Sequence, residues 1–528
     1  MSLNLRSTSG RRLLGVGLAI FWLVLWEFAG RYAWVADGAL PAPSSVVREI
    51  FSNFDVYQHH ALATLKPAFI GFLIGNGCAI LAALIFLLYP VTERLFRGVN
   101  ITLFAIPPLT LGPILVLISH GEQPQIILAA ISVYFPTMIA MLLGLKQADH
   151  RTMDLVRTYG GSKLAVLRFV RLRSSLPGLL AGLQVAAPAA ILGSIMAEFG
   201  SGSRWGLGTY LLGSLALANA DRVWAIGITA TILSAIGYGI FALLSRKVNA
   251  TTKAVTMTPS PVLEAHKSSG AVRWIKEPLL SLLALIIPFA IWWAIIAALK
   301  LPSIIAKGPF DLWSYLISGV RASVAQQRLI EALLQSVPYA LIGMVLGLLF
   351  AFIMALLSHY NRFLRNSFMP VALLLQSMPL VALTPILVLL LGRDTLLTLT
   401  VAVLVTFFAA YVTLMQGLSQ IPSAAIDLLS VYGASSLTKI RRVSIPSSMS
   451  YLCAAARLAI PRALLGVIIA EWMATGMGLG NLLNLSRGRM DYGMIWAVTF
   501  AAVAISILLY QIATVLERRL LRRFMGQG

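Results

Sequence analysis

The sequence predicts an all-α membrane protein with about twelve transmembrane helices arranged as two tandem repeats. Of its 528 residues, 59% are hydrophobic and 11% are charged, and the mean hydropathy is +0.85. A soluble domain cannot bury that much apolar surface. In addition, one series of short motifs occurs twice along the chain at a spacing of 272 to 273 residues.

Twelve apolar blocks approach the length of about 20 residues that a helix needs to cross a bilayer. In the first half they lie near 13–35, 61–89, 99–119, 125–145, 177–199 and 222–245. In the second half they lie near 278–300, 333–358, 370–391, 395–416, 451–474 and 493–516. We therefore expect one transmembrane domain at 1–245 and another at 278–528. Residues 246–277 between them are polar and predict a cytoplasmic linker.

The repeated motifs keep their order in both halves. Gly71 and Gly75 correspond to Gly343 and Gly347, a spacing of four that allows helices to approach closely. The other matches are Pro107 and Pro113 with Pro379 and Pro385, Ala197-Glu198-Phe199 with Ala470-Glu471-Trp472, Gly206-Leu207-Gly208 with Gly478-Leu479-Gly480, and Trp224 with Trp496. Because each half has an even number of predicted spans, both copies face the same way. This predicts a pseudo-twofold axis along the membrane normal.

The net charge of +22 would suggest a nucleic-acid partner in a soluble protein. Here the position of the charges indicates membrane topology instead. If the N-terminus is inside, the inner segments hold 27 of the 41 Lys and Arg residues, as the positive-inside rule requires. We expect both termini in the cytoplasm and anionic lipid headgroups as partners of these charges. Cys78 and Cys453 both lie in apolar blocks and predict packing residues.

Two inner loops, 146–175 and 417–450, share an unusual pattern. In the second loop we expect a short helix over 424–432, a break at Gly433, and a basic second helix that stops at Pro446. Glycine adopts the left-handed conformation that ends a helix at little cost. In the first loop Asp154, Tyr159 and Gly160 stand where Asp427, Tyr432 and Gly433 stand in the second. A single copy would suggest an ordinary solvated loop, but two matched copies favour a functional role.

These loops resemble the cytoplasmic EAA loop of ABC importer permeases. Asp427-Leu428-Leu429 takes the place of Glu-Ala-Ala, Gly433 that of the glycine, and Val443 with Ile445-Pro446 that of the Ile-x-Leu-Pro ending. In the first half Asp154-Leu155-Val156 and Gly160 fit, whereas Leu172-Arg173 replaces Leu-Pro. Nearly all of both halves is similar to the nitrate, sulfonate and taurine group of these permeases, as if two six-span permeases were fused in one chain.

This resemblance implies a type I permease fold and a transport function. It implies that each short helix fits into a groove on a cytoplasmic ATPase subunit, so that two ATPases switch the permease between outward and inward access. The implied contact residues are Leu155, Val156, Tyr159 and Gly160 with Leu428, Leu429, Tyr432 and Gly433, with Asp154 and Asp427 capping or pairing nearby. An extracytoplasmic solute-binding protein would dock on the outer loops, and the location would be the bacterial inner membrane.

No catalytic, cofactor or metal site is expected in this chain. The sequence has no G-x-x-x-x-G-K-[ST] loop, since Gly160-Gly161-Ser162-Lys163 lacks the spacing that cradles a phosphate. ATP and Mg²⁺ are therefore expected on the separate ATPase subunits.

Polar residues inside the apolar blocks suggest a substrate path, because ionisable groups in a bilayer are costly and usually face the bundle interior. The candidates are Arg457, Arg462, Gln184, Gln376 and Ser377. One interpretation is a cavity with one cationic wall that favours a small polar or anionic solute. The other is that both arginines pair with carboxylates or backbone carbonyls and stabilise the bundle.

A twelve-helix secondary transporter driven by an ion gradient is the alternative function, since such proteins can also contain two parallel repeats. It would need acidic residues in mid-membrane for ion coupling. Glu27, Glu198 and Glu471 all lie toward the outer ends of their blocks. Such a transporter would also have no use for two matched helix–Gly–helix loops.

Overall fold

The computed structural model describes residues 8–35, 38–201, 203–249, 272–377, 380–421 and 423–524. No strand occurs among these residues, in agreement with the predicted all-α class. In the first half the helices are α1 (Thr8–Arg31), α2 (Pro43–Ser52), α3 (Phe54–Leu88), α4 (Pro90–Leu95), α5 (Arg97–Ala105), α6 (Pro108–Ile118), α7 (Gln123–Lys146), α8 (His150–Thr158), α9 (Lys163–Val166), α10 (Leu172–Ser201), α11 (Leu207–Ala216) and α12 (Ala220–Asn249).

The second half repeats this series. Its helices are α13 (Val272–Ala298), α14 (Pro309–Trp313), α15 (Ala322–Tyr360), α16 (Arg362–Ser377), α17 (Leu380–Leu391), α18 (Thr395–Ser419), α19 (Ser423–Val431), α20 (Ser436–Lys439), α21 (Ile445–Ala470), α22 (Gly478–Gly488) and α23 (Tyr492–Phe524). Wider π-helical turns join α9 to α10 and α20 to α21, at Leu167–Arg171 and Ile440–Ser444.

Eight helices of the described chain are long and apolar enough to cross a membrane. They are Phe54–Leu88, Gln123–Lys146, Lys163–Gly200, Ala220–Val248, Ala322–Tyr360, Thr395–Ser419, Ser436–Thr475 and Tyr492–Leu520. The pair α5 and α6, bent by 97°, makes a ninth if it is one broken span. The predicted total of twelve is therefore not confirmed, although the remaining predicted blocks also fall on helices: α1, α13 and the pair α16 and α17.

The sharp bend between α5 and α6 follows from consecutive prolines. A residue before proline is pushed out of the helical region, and both Ile106 and Pro107 have extended backbone angles. Pro108 then begins α6, where its missing N–H costs nothing. Pro379, predicted to do the same in the second half, lies outside the described residues.

Glycines bring the longest helices of each half into close contact. A Cβ atom at Gly71 or Gly75 would overlap residues of α7, and one at Gly343 or Gly347 would overlap residues of α18. The packing of α3 on α7 and of α15 on α18 therefore requires the absence of a side chain at these positions. The predicted four-residue glycine spacing has the structural role expected of it.

The two halves interlock instead of lying side by side. Helix α12 of the first half packs against α16 and α17 of the second, and α23 of the second half packs against α5 and α6 of the first. In addition, α13 packs against α4 and α5. The Thr499 hydroxyl on α23 donates a hydrogen bond of 3.2 Å to the carbonyl of Thr110 on α6.

Pro446 does not end the basic helix of the second loop, so that prediction is wrong. The chain continues through the π-helical turn directly into α21, where Pro446 is the second residue. Proline is accepted in a first helical turn, and the wider turn before it accommodates the missing N–H. The outer parts of the predicted linker, 246–249 and 272–277, belong to α12 and α13; the rest lies outside the described residues.

Candidate functional site

The first loop is a compact unit of two short helices. The Asp149 side chain caps α8 by accepting a hydrogen bond of 3.1 Å from the Arg151 N–H, as an N-cap residue does. Gly160 ends the helix with a φ of +79°, and the N–H of Gly161 bonds the carbonyl of Val156 at 2.8 Å. The Ser162 hydroxyl then caps α9 by accepting from the Ala165 N–H at 3.3 Å.

The second loop repeats this geometry. Gly433 lies in the turn that follows α19 and has a φ of +69°. The N–H of Ala434 donates to the carbonyl of Leu429 at 2.9 Å, and the Ser435 hydroxyl caps α20 by accepting from the Thr438 N–H at 3.3 Å. Both glycines have open space around the missing side chain. The constraint at these positions is therefore backbone conformation, since left-handed angles strain most other residues.

Each short helix exposes two of its predicted apolar contact residues. Leu155 is 56% exposed and Tyr159 is 84% exposed; in the second loop Leu428 is 59% exposed and Tyr432 is 80% exposed. In each pair the residues are four positions apart, so they lie on one helix face. The two loops therefore present the same pair of large apolar side chains from equivalent positions of the repeat.

The remaining predicted loop residues contribute to the unit itself. Val156 packs against a small core that contains Met153 and Val170, and Leu429 is half-buried. Asp154 is exposed and accepts a hydrogen bond of 3.2 Å from Arg157, which agrees with local pairing. Asp427 is also exposed.

The structure shows hydrogen-bond partners of the buried Glu198 carboxylate that the sequence did not predict. Glu198, 2% exposed, accepts a hydrogen bond of 2.7 Å from the Thr64 hydroxyl and one of 2.6 Å from the N–H of Gly208. The same Thr64 hydroxyl accepts from the N–H of Leu207 at 2.9 Å. Glu198 and Thr64 together hold the first turn of α11 against α10 and α3. We call this arrangement the carboxylate clamp.

The second half has the same clamp with serine in place of threonine. Glu471 is 4% exposed and accepts hydrogen bonds from the Ser336 hydroxyl at 2.8 Å and from the N–H of Gly480 at 3.0 Å. The Leu479 N–H donates to Ser336 at 2.8 Å. The repeat contained a signal for this partner, because Thr64 and Ser336 are 272 residues apart. Because Thr and Ser are common residues, a match between one of each does not by itself indicate a shared role.

Arg457 forms an ion pair with a buried carboxylate and lies near an aromatic ring. Its Nε lies 2.9 Å from Oε2 of Glu517, a side chain only 2% exposed, and its guanidinium lies 6.0 Å from the centre of the Tyr510 ring. At the equivalent position of the first half, Gln184 donates to the carbonyl of Phe241 at 3.5 Å. The ion pair favours the structural interpretation for Arg457, and its place in the substrate path stays a prediction.

Arg462 differs from Arg457, because it is partly buried and no described residue accepts a hydrogen bond from it or forms an ion pair with it. Gln376 lies near the end of α16, and its side-chain oxygen is buried without a hydrogen-bond partner among the described residues. Ser377 is the last residue of α16. These three positions stay candidates for the substrate path.

Arg487 on α22 was not predicted as a functional residue, yet it connects the two halves. Its Nη1 donates to the carbonyl of Phe199 at 3.0 Å and its Nη2 to that of Gly200 at 3.3 Å, both at the end of α10. Burial lowers the pKa of the Arg487 guanidinium, which nevertheless stays protonated at physiological pH. A cation at the carboxyl end of α10 also interacts favourably with the helix dipole.

Two segments of the chain, 75–250 and 343–525, match the family model described as "Binding-protein-dependent transport system inner membrane component". Together they cover most of the chain and coincide with the two structural repeats. The chain is also similar to a probable ABC transporter permease protein of Haemophilus influenzae, with 30% identity over 169 residues, which are 32% of this chain and 69% of that protein.

Two further relatives have named solutes. The riboflavin transport system permease protein RibX of Chloroflexus aurantiacus is 30% identical over 30% of this chain and 60% of its own length. The putative aliphatic sulfonates transport permease protein SsuC of Bacillus subtilis is 24% identical over 46% of this chain and 90% of its own length. Nearly a whole relative thus corresponds to under half of this chain, as expected if the chain contains two such domains. The chain belongs to the family of binding-protein-dependent ABC importer permeases, with two permease domains fused in one polypeptide.

Proposed function

We propose that this fused permease is driven by two cytoplasmic ATPase subunits, one at each of the two loops. The observation that carries this proposal is the duplicated exposed face, with Leu155 on α8 and Tyr159 directly after it, and Leu428 on α19 and Tyr432 directly after it. Large exposed apolar side chains are costly in water and mark interaction surfaces when they cluster. The first loop follows α7 and the second follows α18, which are equivalent helices of the repeat, so both loops lie on the same side of the membrane.

In this proposal the loops are cytoplasmic, as the distribution of Lys and Arg favours, and the protein lies in a bacterial inner membrane with both termini inside. A solute-binding protein docks on the opposite face, formed by the outer loops 36–60, 200–221, 301–332 and 475–492. Family membership supports these partners in general terms. It gives no support to the secondary-transporter alternative.

The coupling role can be tested by changing only the backbone at the two glycines. We expect Gly160→Val or Gly433→Val to lower co-purification of the partner ATPase about tenfold, because valine is strained at a positive φ and displaces the exposed helix end. The matched controls are Gly160→Asn and Gly433→Asn, since asparagine tolerates the left-handed region. Unchanged ATPase recovery with both valine variants would contradict the proposal.

For the solute we propose a small anion, with Arg462 as its counter-charge in the membrane. An arginine without a described partner inside a bilayer is costly unless another group compensates its charge, and a transported anion would provide that group. The name of the relative from Bacillus subtilis supports this class, because it refers to aliphatic sulfonates. A planar guanidinium is suited to bidentate contact with such oxyanions.

We expect Arg462→Ala to reduce uptake by a factor of about 100, a loss typical of a buried charge partner, while ATPase co-purification stays normal. Arg462→Lys keeps the charge without the bidentate geometry, so it should retain part of the uptake. Uptake should be measured in proteoliposomes with the ATPase and the binding protein present. Wild-type uptake by the alanine variant would exclude Arg462 from the path.

A further inference from the structure

A cleft of about 280 Å³ lies on the surface of the first half, between α3, α7 and α10. Its walls are mostly apolar and include Ile80, Met141, Leu176 and Leu179, and Arg173 is the charged residue among those that line it. Leu176 is 44% exposed, so the cleft is open to the surroundings of the helix bundle. At this depth those surroundings are the lipid bilayer.

The cleft runs from the loop side of the membrane into its apolar region. Met141 lies five residues before the end of α7, or about 7.5 Å at 1.5 Å per residue, and Ile80 lies about 12 Å from the end of α3. Arg173 lies two residues before Ser175, whose backbone packs against Gly144 near the end of α7, so Arg173 is close to the level at which α7 ends. The cation is therefore at headgroup depth and the apolar walls are at acyl-chain depth.

The charge of Arg173 is available for a ligand. Two other cations of the loop are paired with carboxylates: Lys146 with Glu93 at 2.9 Å and Arg157 with Asp154 at 3.2 Å. Arg173 is exposed, and within the described part of the chain it has neither an ion pair nor a hydrogen bond to its side chain. The long side chain of an arginine readily extends to the membrane surface.

Arg173 is also the residue at which the first loop departs from the motif, since Pro446 occupies its position in the second loop. The floor of the cleft is formed by close contact of α7 with α10, where a Cβ atom at Gly144 would overlap the backbone of Ser175. A helix surface with a cation directly beside the apolar stripe of Leu172, Leu176 and Leu179 fits an amphipathic ligand.

We propose that this cleft binds an anionic phospholipid, with the phosphate on Arg173 and one acyl chain along Ile80, Met141 and Leu176. Charge complementarity selects an anionic headgroup, and the apolar walls select a lipid over free phosphate. The site lies where the first loop joins α10, so the bound lipid stabilises this junction in the half that lacks the motif's proline. The proposal depends on the family's membrane location but not on the ATPase or the solute.

The test is native mass spectrometry of the full chain after reconstitution in phosphatidylcholine mixed with phosphatidylglycerol. We expect wild-type protein to retain phosphatidylglycerol preferentially and Arg173→Ala to lower this preference about fivefold, the effect of one cation near an anionic surface. Arg173→Lys should retain most of it. Leu176→Trp, which fills the cleft, should lower retention of both lipids.

Arg442→Ala is the matched control, because Arg442 is an exposed cation in the other loop and should have no effect. Equal losses with Arg442→Ala and Arg173→Ala would show general attraction to the surface and overturn the specific site. Displacement of the lipid by inorganic phosphate would also overturn it. Lipid retention is measured without ATPase or solute. A negative lipid result would therefore not contradict the proposed transport function, and a negative ATPase co-purification result would not contradict the lipid site.

Discussion

The two halves of the chain have the same framework but differ in their charges. Both contain the carboxylate clamp, the glycine-ended loop helix and the glycine contact between the longest helices. They differ at Arg457, Arg462 and Arg487, which correspond to Gln184, Ala189 and Leu215 in the first half. Backbone geometry is therefore duplicated wherever the fold depends on it. Interior and inter-half cations occur in the second half at positions where the first half is neutral.

The comparison indicates what fusion of two permease domains permits. In a pair of identical subunits every cation on the path would occur twice, and the like charges would repel one another across the axis. In the fused chain a single charge can be placed on one side of the path. Substitutions that remove this asymmetry, or that remove a feature both halves share, should therefore differ in their effect on stability.

The largest effect is expected at the buried ion pair. Arg457→Ala leaves the Glu517 carboxylate, 2% exposed, without a counter-charge. This should destabilise the protein by about 3–5 kcal/mol. The midpoint of thermal unfolding of the purified chain in detergent provides the measurement.

Its matched control replaces both partners with the residues of the first half. Arg457→Gln together with Glu517→Ser reproduces Gln184 and Ser245, the neutral residues that the first half accommodates at these positions. We expect this double variant to unfold close to the wild-type temperature. A double variant as unstable as Arg457→Ala alone would show that the two halves are not interchangeable here.

A smaller and equal effect is expected in the two carboxylate clamps. Glu198→Ala leaves the Gly208 N–H without its acceptor and the Thr64 hydroxyl with only the His60 carbonyl at 3.2 Å. Glu471→Ala removes the acceptor of the Ser336 hydroxyl and of the Gly480 N–H. Each change should cost about 2–3 kcal/mol, because a buried unpaired donor is expensive. Thermal unfolding should shift by similar amounts in the two variants.

Glu122→Ala is the control for the clamps. Glu122 forms only an exposed ion pair, 3.0 Å from Lys66, and such pairs contribute little. If either clamp variant were as stable as Glu122→Ala, the clamp in that half would not support the fold as its geometry suggests.

The smallest effect is expected at the inter-half contact of Arg487. Arg487→Ala removes two hydrogen bonds to the end of α10. Because Arg487 keeps much of its surface in contact with solvent while its guanidinium is partly buried, we expect a loss of only about 1 kcal/mol, measured by the same unfolding assay. Arg489→Ala, a nearby exposed arginine, should have no effect. An equal loss from both changes would attribute the effect to surface charge rather than to this contact.

The local features of the loops were predictable because they depend on neighbouring residues. Gly160 and Gly433 end their helices as expected, since a left-handed residue is a local backbone requirement. The expected helix stop at Pro446 does not occur, because the π-helical turn before it lets the helix continue. Such a turn has no clear local sequence pattern.

The sequence by itself determined the membrane class, the duplication and the two loop helices, because hydropathy, repeat register and glycine positions are properties of short segments. Only the tertiary structure decided which polar residues meet. Thr64 reaches Glu198 across 134 positions, and Glu517 compensates Arg457, whereas no acidic side chain among the described residues pairs with Arg462. Such pairings depend on how helices pack and rotate against one another, and in a uniformly apolar sequence the hydrophobic pattern does not specify that rotation.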